Sequence, residues 1–402
     1  MSGTPIGVGE RVAVRRKLSG LTQEQLANRA HVSASLLRKV EQGSVPASSA
    51  FTSAVAKALS ISVSDLLDLP PQPQNHDDNQ MLTAISPLRR ELITYRQPPQ
   101  NESGRTLDEL AVAMVEVSRL RHATDYFRLG SILPMLLADL LAATHDLTGS
   151  DRERAFGLLA EAYDASRELA YCLGYSDLSS LAIDRYEWAA AQSGDGLSLM
   201  VGDYHRAGEL LCLADHVTAS ALLERSRSHL EVHIGRADVP TLAMYGNLHL
   251  KSALVAARAG NRIHADEHLK EARETAERIG ADRDDYRLCF GPTNVRIWSV
   301  ALAVEAGDGP EAVKRSRGFL LPPTVQRERA GHHWIDLSRG YLLAGDREAS
   351  LASLMTARQI IPQRTRFHRT AAETVLSLAR AERRRSDMLR SFASWMGLNA
   401  LA

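Results

Sequence analysis

Three polar side chains that suit nucleic-acid binding, Arg38, Lys39 and Gln42, lie close together near the N-terminus. Side chains of these types contact phosphate oxygens and the edges of bases. All three lie off the apolar face that Leu37 and Val40 form at helical spacing. The pattern therefore predicts a helix with one buried face and one polar face that is available to DNA.

The surrounding residues, Leu21–Gly43, predict two short helices joined by a tight turn. Thr22 is a favoured N-cap for the first helix, and Gln25, three residues later, completes a capping-box pattern. Ser33 caps the second helix, and Gly43 ends it because glycine readily adopts the left-handed conformation. Such a pair of helices can place its second member in the major groove of DNA. The alternative is an ordinary helical hairpin without a role in nucleic-acid binding.

The residues from Gly9 to Leu67 resemble the Cro and phage-repressor helix-turn-helix family (Xre type), whose DNA-binding domain has five helices. The resemblance rests on the segments LTQEQLA, VS and VEQG, and on LSISVSDLL as the last helix. His31 departs from the family, which usually has glycine in the turn. Histidine adopts the left-handed region more readily than most residues, so we expect the motif to tolerate it.

The resemblance implies a set of DNA-binding side chains. Ala34, Ser35 and Lys39 match the positions that face the groove, and Gln23 matches one that contacts the backbone or a base. Ala34 offers only apolar contact and Ser35 bonds to several bases, so Lys39 is expected to discriminate most, against guanine. The remaining implied contacts, which are better placed for phosphates, are Ser33, Arg38 and Gln42.

The charge of the chain limits how it could bind DNA. Lys plus Arg and Asp plus Glu both total 48, so the formal net charge is zero. Residues 1–68 carry eight basic and five acidic residues. A single module with so small an excess of positive charge is expected to bind DNA modestly. This favours a homodimer that presents two modules to a double-stranded operator.

The remaining composition points to the cytoplasm. Cys172, Cys212 and Cys289 are widely spaced and show no pattern typical of disulfides or zinc sites. The chain shows no N-terminal leader pattern and no apolar run of membrane-spanning length. We therefore expect a soluble cytoplasmic protein with no membrane partner.

The composition changes along the chain and divides it into three regions. Residues 1–69 form the predicted DNA-binding domain. Residues 70–105 are interpreted as a linker that is rich in Pro, Gln and Asn and contains one short helix at Ile85–Tyr95. Residues 106–402 are helical in pattern, with turns that contain Gly-Asp or Gly-Asn. The whole chain is therefore predicted to be all-α.

A repeated pattern follows these turns. Counted from the Asp or Asn of the turn, a small residue lies four positions later, a Leu eight and a second small residue eleven positions later. Asp215, Asn261 and Asp346 begin strong examples and Asp308 a weaker one, at intervals of 46, 47 and 38 residues in chain order. The pattern resembles the second helix of a tetratricopeptide (TPR) repeat. It predicts a TPR-like α-solenoid, with an irregular helical bundle as the alternative.

The concave face of such a solenoid is the predicted sensor surface. The first helix of each pair lines this face, and Asn247 and Asn294 occupy matching positions fourteen residues before a turn. Their amides could hold a peptide backbone, although both could instead cap helices. Trp298 could equally be a core residue, and Arg296 a solvated or ion-paired one. The candidate contacts for a peptide or small-molecule effector are Tyr204, Asn247, Asn294, Arg296 and Trp298, together with the inward-facing His332.

The architecture is similar to that of helix-turn-helix regulators with TPR repeats that sense signalling peptides in Gram-positive bacteria. It also resembles actinobacterial Xre-type regulators that carry an FGPTN-like segment, which here is Phe290–Asn294. The resemblance implies that an effector in the groove changes the solenoid or its dimer packing. The spacing of the two DNA-binding heads would change with it.

Chemistry of other kinds is not predicted. His264 and His268, like His229 and His233, have the i,i+4 spacing of helical metal ligands. Neither pair has the glutamate position of an HExxH motif or a nearby cysteine, so solvated helix faces explain them better. No phosphate-binding loop, dinucleotide motif, nucleophile elbow or paired-carboxylate signature occurs in the sequence. We therefore expect no enzyme activity, no metal and no cofactor.

Together these observations lead to one hypothesis and one rival. The hypothesis is a homodimeric, sequence-specific transcription regulator whose repeats dimerise and sense an effector. The rival is a protein-interaction adaptor whose repeats bind a partner protein and for which DNA contact is secondary. A salt titration on DNA separates the two, because only the regulator should prefer its own operator.

Overall fold

A computed structural model of the protein describes residues 7–61, 63–67, 82–97, 104–232, 234–381 and 386–398. Within these residues the fold is all-α, as the sequence predicts, and the sole extended pairing is an isolated bridge between Arg283 and Phe290. Five helices form the N-terminal domain: α1 (Val8–Leu18), α2 (Gln23–Arg29), α3 (Ala34–Glu41), α4 (Ser49–Leu59) and α5 (Val63–Leu67).

The rest of the described chain is a larger helical body. One short helix, α6, precedes six antiparallel helix pairs, and three further helices follow them. The helices are α6 (Ile85–Ile93), α7 (Leu107–Ala123), α8 (Tyr126–Asp146), α9 (Gly149–Cys172), α10 (Ser176–Ala190), α11 (Gly196–Cys212), α12 (His216–Glu231), α13 (Val239–Arg258), α14 (Arg262–Ile279), α15 (Pro292–Glu305), α16 (Gly309–Ser316), α17 (Arg327–Ala344), α18 (Arg347–Ile360), α19 (Pro362–Phe367), α20 (Arg369–Ala381) and α21 (Asp387–Trp395). Two 3₁₀ turns lie between them, at Ile234–Arg236 and Asp285–Arg287.

The turns within most pairs share one construction. An Asp or Asn side chain accepts a hydrogen bond from a backbone N–H at the start of the second helix, as Asp215 does from Thr218 at 3.0 Å. Asn261 accepts in the same way from His264 at 3.2 Å. The preceding residue has a positive φ in each case, which reverses the chain, and the cap satisfies a free N–H of the helix start. The same arrangement occurs at Asp125, Asp308 and Asp346.

The positions predicted to lie between paired helices are buried. Leu223, Leu269 and Leu354 are at most 3% exposed. The small side chains beside them let the helix axes approach closely. The weaker example departs from the pattern because α16 ends before Phe319. The buried small residues are Ala219, Ser226, Ala265, Ala272, Ala312, Ser350 and Ala357.

The body closes on itself, so that its last helices contact its first pair. α17 packs against α7, and the backbone N–H of Tyr126 donates to Gln363 Oε1 at 2.7 Å. Arg364 in α19 donates to Tyr126 Oη at 2.6 Å and to Glu168 Oε1 at 2.9 Å. The Arg364 and Glu168 side chains are buried, where their pairing and hydrogen bonds compensate both charges. The first helices of the pairs therefore surround a central cavity.

The helix predicted at Ile85–Tyr95 is present as α6, and it packs on the body. Leu88 and Leu92 are fully buried in the largest hydrophobic core. Arg185 Nε on α10 donates to the carbonyl oxygen of Leu92 at 2.8 Å. Most of the predicted linker on either side of α6 lies outside the described residues.

α8 is the one described helix that is long and apolar enough to cross a membrane, judged by length and composition alone. It packs between α7 and α9, and 56% of its most apolar window is buried. Leu129, Leu133 and Leu140 are fully buried in the main hydrophobic core. α8 is therefore a core helix of the body.

Candidate functional site

The helix-turn-helix motif forms as its caps predict. Thr22 Oγ1 accepts from the backbone N–H of Gln25 at 3.1 Å, and the Thr22 N–H donates to Gln25 Oε1 at 2.8 Å. Ser33 Oγ accepts from the backbone N–H three residues later at 3.1 Å, at the start of α3. His31 and Gly43 both adopt positive φ, at 53° and 71°. Histidine thus occupies the left-handed turn position, as expected.

A buried ion pair joins α1 to the second helix of the motif. Arg16 on α1 donates to both carboxylate oxygens of Glu41 on α3, at 2.7 and 3.0 Å. Gln23 on α2 donates its side-chain amide to the same carboxylate at 2.7 Å. Burial opposes ionisation of Glu41, but the hydrogen bonds from Arg16 and Gln23 outweigh burial and lower the pKa of Glu41. No local pattern reveals this link, because Arg16 and Glu41 lie 25 residues apart.

The polar face of α3 is open to solvent, while Leu37 and Val40 on its other face are buried. Ala34 and Gln23 are half-buried at the edge of this surface. The cations on α3 form no ion pair with any residue that the structure describes, so their charges are available. The predicted DNA contacts that are exposed are Ser33, Ser35, Arg38, Lys39 and Gln42.

The N-terminal domain docks on the body through α1, α4 and the loop before α4. Glu373 on α20 accepts from the first backbone N–H of α1 at 3.0 Å and pairs with Arg11 at 2.5 Å. Arg339 on α17 donates to the Ala47 carbonyl at 2.6 Å and to Ser49 Oγ at 3.0 Å. These contacts use a different side of the domain from the polar face of α3, which stays exposed.

The central cavity has a volume of about 330 Å³ and is lined mainly by the first helices of the pairs. Tyr204 and Trp298, two of the predicted effector contacts, line it, and so does His332. Arg296 does not line the cavity. It is exposed, and its Cζ lies 5.1 Å from the ring centre of Phe319. Three of the six predicted effector contacts, Tyr204, Trp298 and His332, are therefore brought together at one surface.

Asn247 and Asn294 are not among the residues that line this cavity. Both are buried, at 2% and 5% exposure. The side-chain amide of Asn294 donates to the carbonyl of Cys289, which anchors the start of α15. This contact agrees with the alternative in which Asn294 organises a helix start. The Oδ1 atom of each Asn is buried without a hydrogen-bond partner among the described residues.

The segment Phe290–Asn294 forms a tight junction before α15. Gly291 has φ 146° and ψ −175°, a conformation open almost solely to glycine. A Cβ at Gly291 would lie 2.5 Å from Asp282 Oδ1. The ring of Phe290 fills the space beside Gly246, where a Cβ would lie 1.9 Å from the ring. The segment therefore holds α13 and α15 together.

The central cavity is rich in charge that the sequence did not indicate. Seven of its lining residues are Arg or Lys and five are Asp or Glu. Most of the cations are ion-paired, as Arg258 is with Glu305 at 2.8 Å. Lys251 and Arg329 are the exceptions within the described part of the chain. Tertiary contacts alone bring these two cations to one cavity, so no local pattern could reveal them.

Metal ligands are not grouped in the described ranges. No group of three or more His, Cys, Asp or Glu side chains that could hold a metal ion occurs among these residues. His268 lies beside His249, with 3.1 Å between their Nδ1 atoms, and His233 lies outside the described residues. Burial raises the pKa of Cys172 to about 11, which disfavours the reactive thiolate.

Comparison with known proteins bears on the N-terminal domain. Residues 8–69 match a family model described as a helix-turn-helix domain, and this span includes α1–α5. No curated protein and no solved structure matches the chain. The N-terminal domain is therefore a helix-turn-helix domain, in agreement with its caps, its core and the exposed face of α3.

Proposed function

We propose that the protein is a sequence-specific transcription regulator that binds a double-stranded operator as a homodimer. The observation that carries the proposal is the exposed polar face of α3 on a helix-turn-helix domain. Arg38 and Lys39 lie on this face without ion pairs to the described residues, so they can contact phosphates and bases. The regulator is proposed to be cytoplasmic and non-enzymatic, with no cofactor.

The dimer is proposed because one domain offers little positive charge. Residues 1–68 carry eight basic and five acidic residues, so one domain alone gains little from counter-ion release. Two domains related by two-fold symmetry would contact half-sites about 34–36 Å apart, one turn of DNA. We therefore expect the operator to be an inverted repeat.

In this proposal the body is the sensor, and the docking contacts carry its signal. A second cavity of about 130 Å³ is lined by residues of both the N-terminal domain and the body, among them Ser49 and Thr52 of α4. Arg258 and Glu305 line both this cavity and the central one. A peptide or small-molecule effector in the central cavity would thus act on groups that touch α4. The position of the DNA-binding domain would change as a result.

The proposal is tested by measuring DNA binding of the purified protein over a range of salt concentrations. Operator fragments selected from genomic DNA are compared with random DNA by fluorescence anisotropy, and the mass of the complex gives the number of chains. We expect two chains per operator, a clear preference for the operator and a log–log slope of about −0.9 per phosphate neutralised. If no sequence binds better than random DNA at any salt concentration, the proposal is wrong and the adaptor hypothesis replaces it.

A further inference from the structure

The central cavity has the size and surface of a small-molecule site. Its volume of about 330 Å³ lies within the range of such sites, roughly 300–1,000 Å³. Tyr204, Trp298 and Leu254 supply apolar surface, and Lys251 and Arg329 supply charge. Sites of this kind bind an apolar ligand body and orient it with a few polar groups.

Lys251 on α13 is a cation without a counter-ion among the described residues. Its Nζ lies 3.9 Å from the ring centre of Tyr204, an attractive but uncharged neighbour. Burial and the positive charges of three arginines lower the pKa of Lys251 to about 7. The potential around its ammonium group is therefore positive, and a bound anion would relieve it. The three arginines are Arg167, Arg258 and Arg329.

Arg329 on α17 also has unused binding capacity. Its Nε is buried and donates no hydrogen bond within the described part of the protein. The side chain forms no ion pair with these residues either. A buried donor without an acceptor is unfavourable, so an acceptor oxygen placed beside it would gain a charge-assisted hydrogen bond.

We propose that the cavity binds a small organic anion, whose carboxylate or phosphate lies between Lys251 and Arg329 and whose apolar part packs on Tyr204 and Trp298. The closure of the body around the cavity favours a small molecule over a long extended peptide. The role of this cavity as the effector site of a regulator rests on the proposed function. Binding itself, however, can be measured without DNA.

A single ion pair connects the site to the DNA-binding domain. Arg258, whose charge acts on Lys251, contacts Glu305 at 2.8 Å. Glu305 in turn accepts a hydrogen bond from Ser49, the first residue of α4. An anion beside Lys251 would compete with Glu305 for Arg258. It would thereby weaken the link to α4.

The site is tested by thermal unfolding of the full-length protein with phenyl phosphate or phenylacetate, compared with sodium chloride at equal ionic strength. A ligand that binds the native state raises the Tm, and we expect a rise of about 3 °C at saturating probe. Lys251→Met and Arg329→Met should lose most of this shift. Lys270→Met removes a lysine that is 69% exposed on α14 and should keep it. The probe with the larger shift identifies the anionic group.

A second measurement separates ligand binding from a structural role of Lys251. Because its ammonium group has no counter-ion among the described residues, Lys251→Met should unfold at the wild-type Tm or above when no probe is present. A markedly lower Tm would assign Lys251 a structural role and overturn the proposal. Failure of both probes to raise the wild-type Tm, or a full shift in either variant, would overturn it as well. Failure here with operator binding intact would refute the site alone.

Discussion

At the scale of single residues, the polar face of α3 offers few groups that distinguish bases. Ser35 can bond to several bases, and Ala34 is half-buried and apolar. Gln23 already donates an amide hydrogen to Glu41, so part of its binding capacity is used within the protein. Lys39 is exposed and unpaired among the described residues, which makes it the main candidate for base recognition.

Replacing Lys39 with alanine should relax specificity at one base pair by about 1–3 kcal/mol, because a single donor to guanine is lost. Anisotropy titrations against operators with single substitutions measure this loss. Lys57→Ala removes another exposed lysine, on α4, and should leave the discrimination unchanged. An equal loss on every operator would instead identify Lys39 as a phosphate contact.

At the scale of elements, two kinds of helix start in the body differ in what they require of the sequence. Most second helices begin at an Asp or Asn cap, which any sequence of this pattern could supply. α15 begins differently. Gly291 at its start adopts a backbone conformation that residues with a Cβ rarely adopt, and its Cα packs directly against Asp282. This junction positions α15, whose residues Trp298 and Glu305 line the central cavity.

Gly291→Ala should therefore lower the free energy of unfolding by more than about 2 kcal/mol, because both the backbone conformation and the contact with Asp282 resist a Cβ. Urea denaturation followed by circular dichroism measures the change. The matched control is Gly196→Ala at the start of α11, where a Cβ meets no atom within 4 Å. It should alter stability by less than about 0.5 kcal/mol. Equal stability of the two variants would contradict the strain at Gly291.

At the scale of the whole molecule, closing the body on itself and docking the N-terminal domain bury many titratable groups. Burial lowers the pKa of His333 to about 4, and burial with the charge of Arg167 lowers that of His205 to about 4. An unfolded histidine takes up its proton near pH 6.5. As the pH falls, these histidines therefore take up protons in the unfolded chain before they do so in the native protein. Each of them thus lowers the free energy of unfolding as the pH decreases. His249, His268 and His368 are shifted in the same direction.

The free energy of unfolding should thus decrease as the pH falls from about 6.5 to about 4. Urea midpoints measured across this range follow the loss. His333→Gln removes one buried site, so its slope should be shallower than that of the wild type by up to about 1.4 kcal/mol per pH unit. His264→Gln, which replaces a histidine that is 62% exposed, should keep the wild-type slope. An unchanged slope in His333→Gln would refute the assignment.

The local structure of this protein follows closely from its sequence. Thr22, Ser33, Asp215 and Asn261 each cap a helix where their spacing predicts one, because a cap needs only a side chain and an N–H two or three residues away. The apolar period within each helix is equally local. The helix-turn-helix motif and the helix pairs could therefore be predicted.

The candidate site beyond the motif could be predicted only in part. The sequence predicts Tyr204 and Trp298 correctly as cavity residues, because the first helices of a solenoid's pairs line its concave face. Asn247 and Asn294 share their register position but lie buried away from the cavity, since register alone does not set how far a helix rotates. Lys251 has no local pattern that distinguishes it from a surface lysine.

The all-α class, the helix-turn-helix motif and the paired helices of the body follow from local patterns of residues. Three further contacts follow from the fold as a whole: Arg364 donates to Tyr126, Arg339 donates to Ala47, and Lys251 shares a cavity with Arg329. These contacts depend on the small rotation between successive helix pairs, summed over the whole body. The accumulated rotation brings residues that are distant in the sequence together, and the spacing of residues within any one segment does not indicate it.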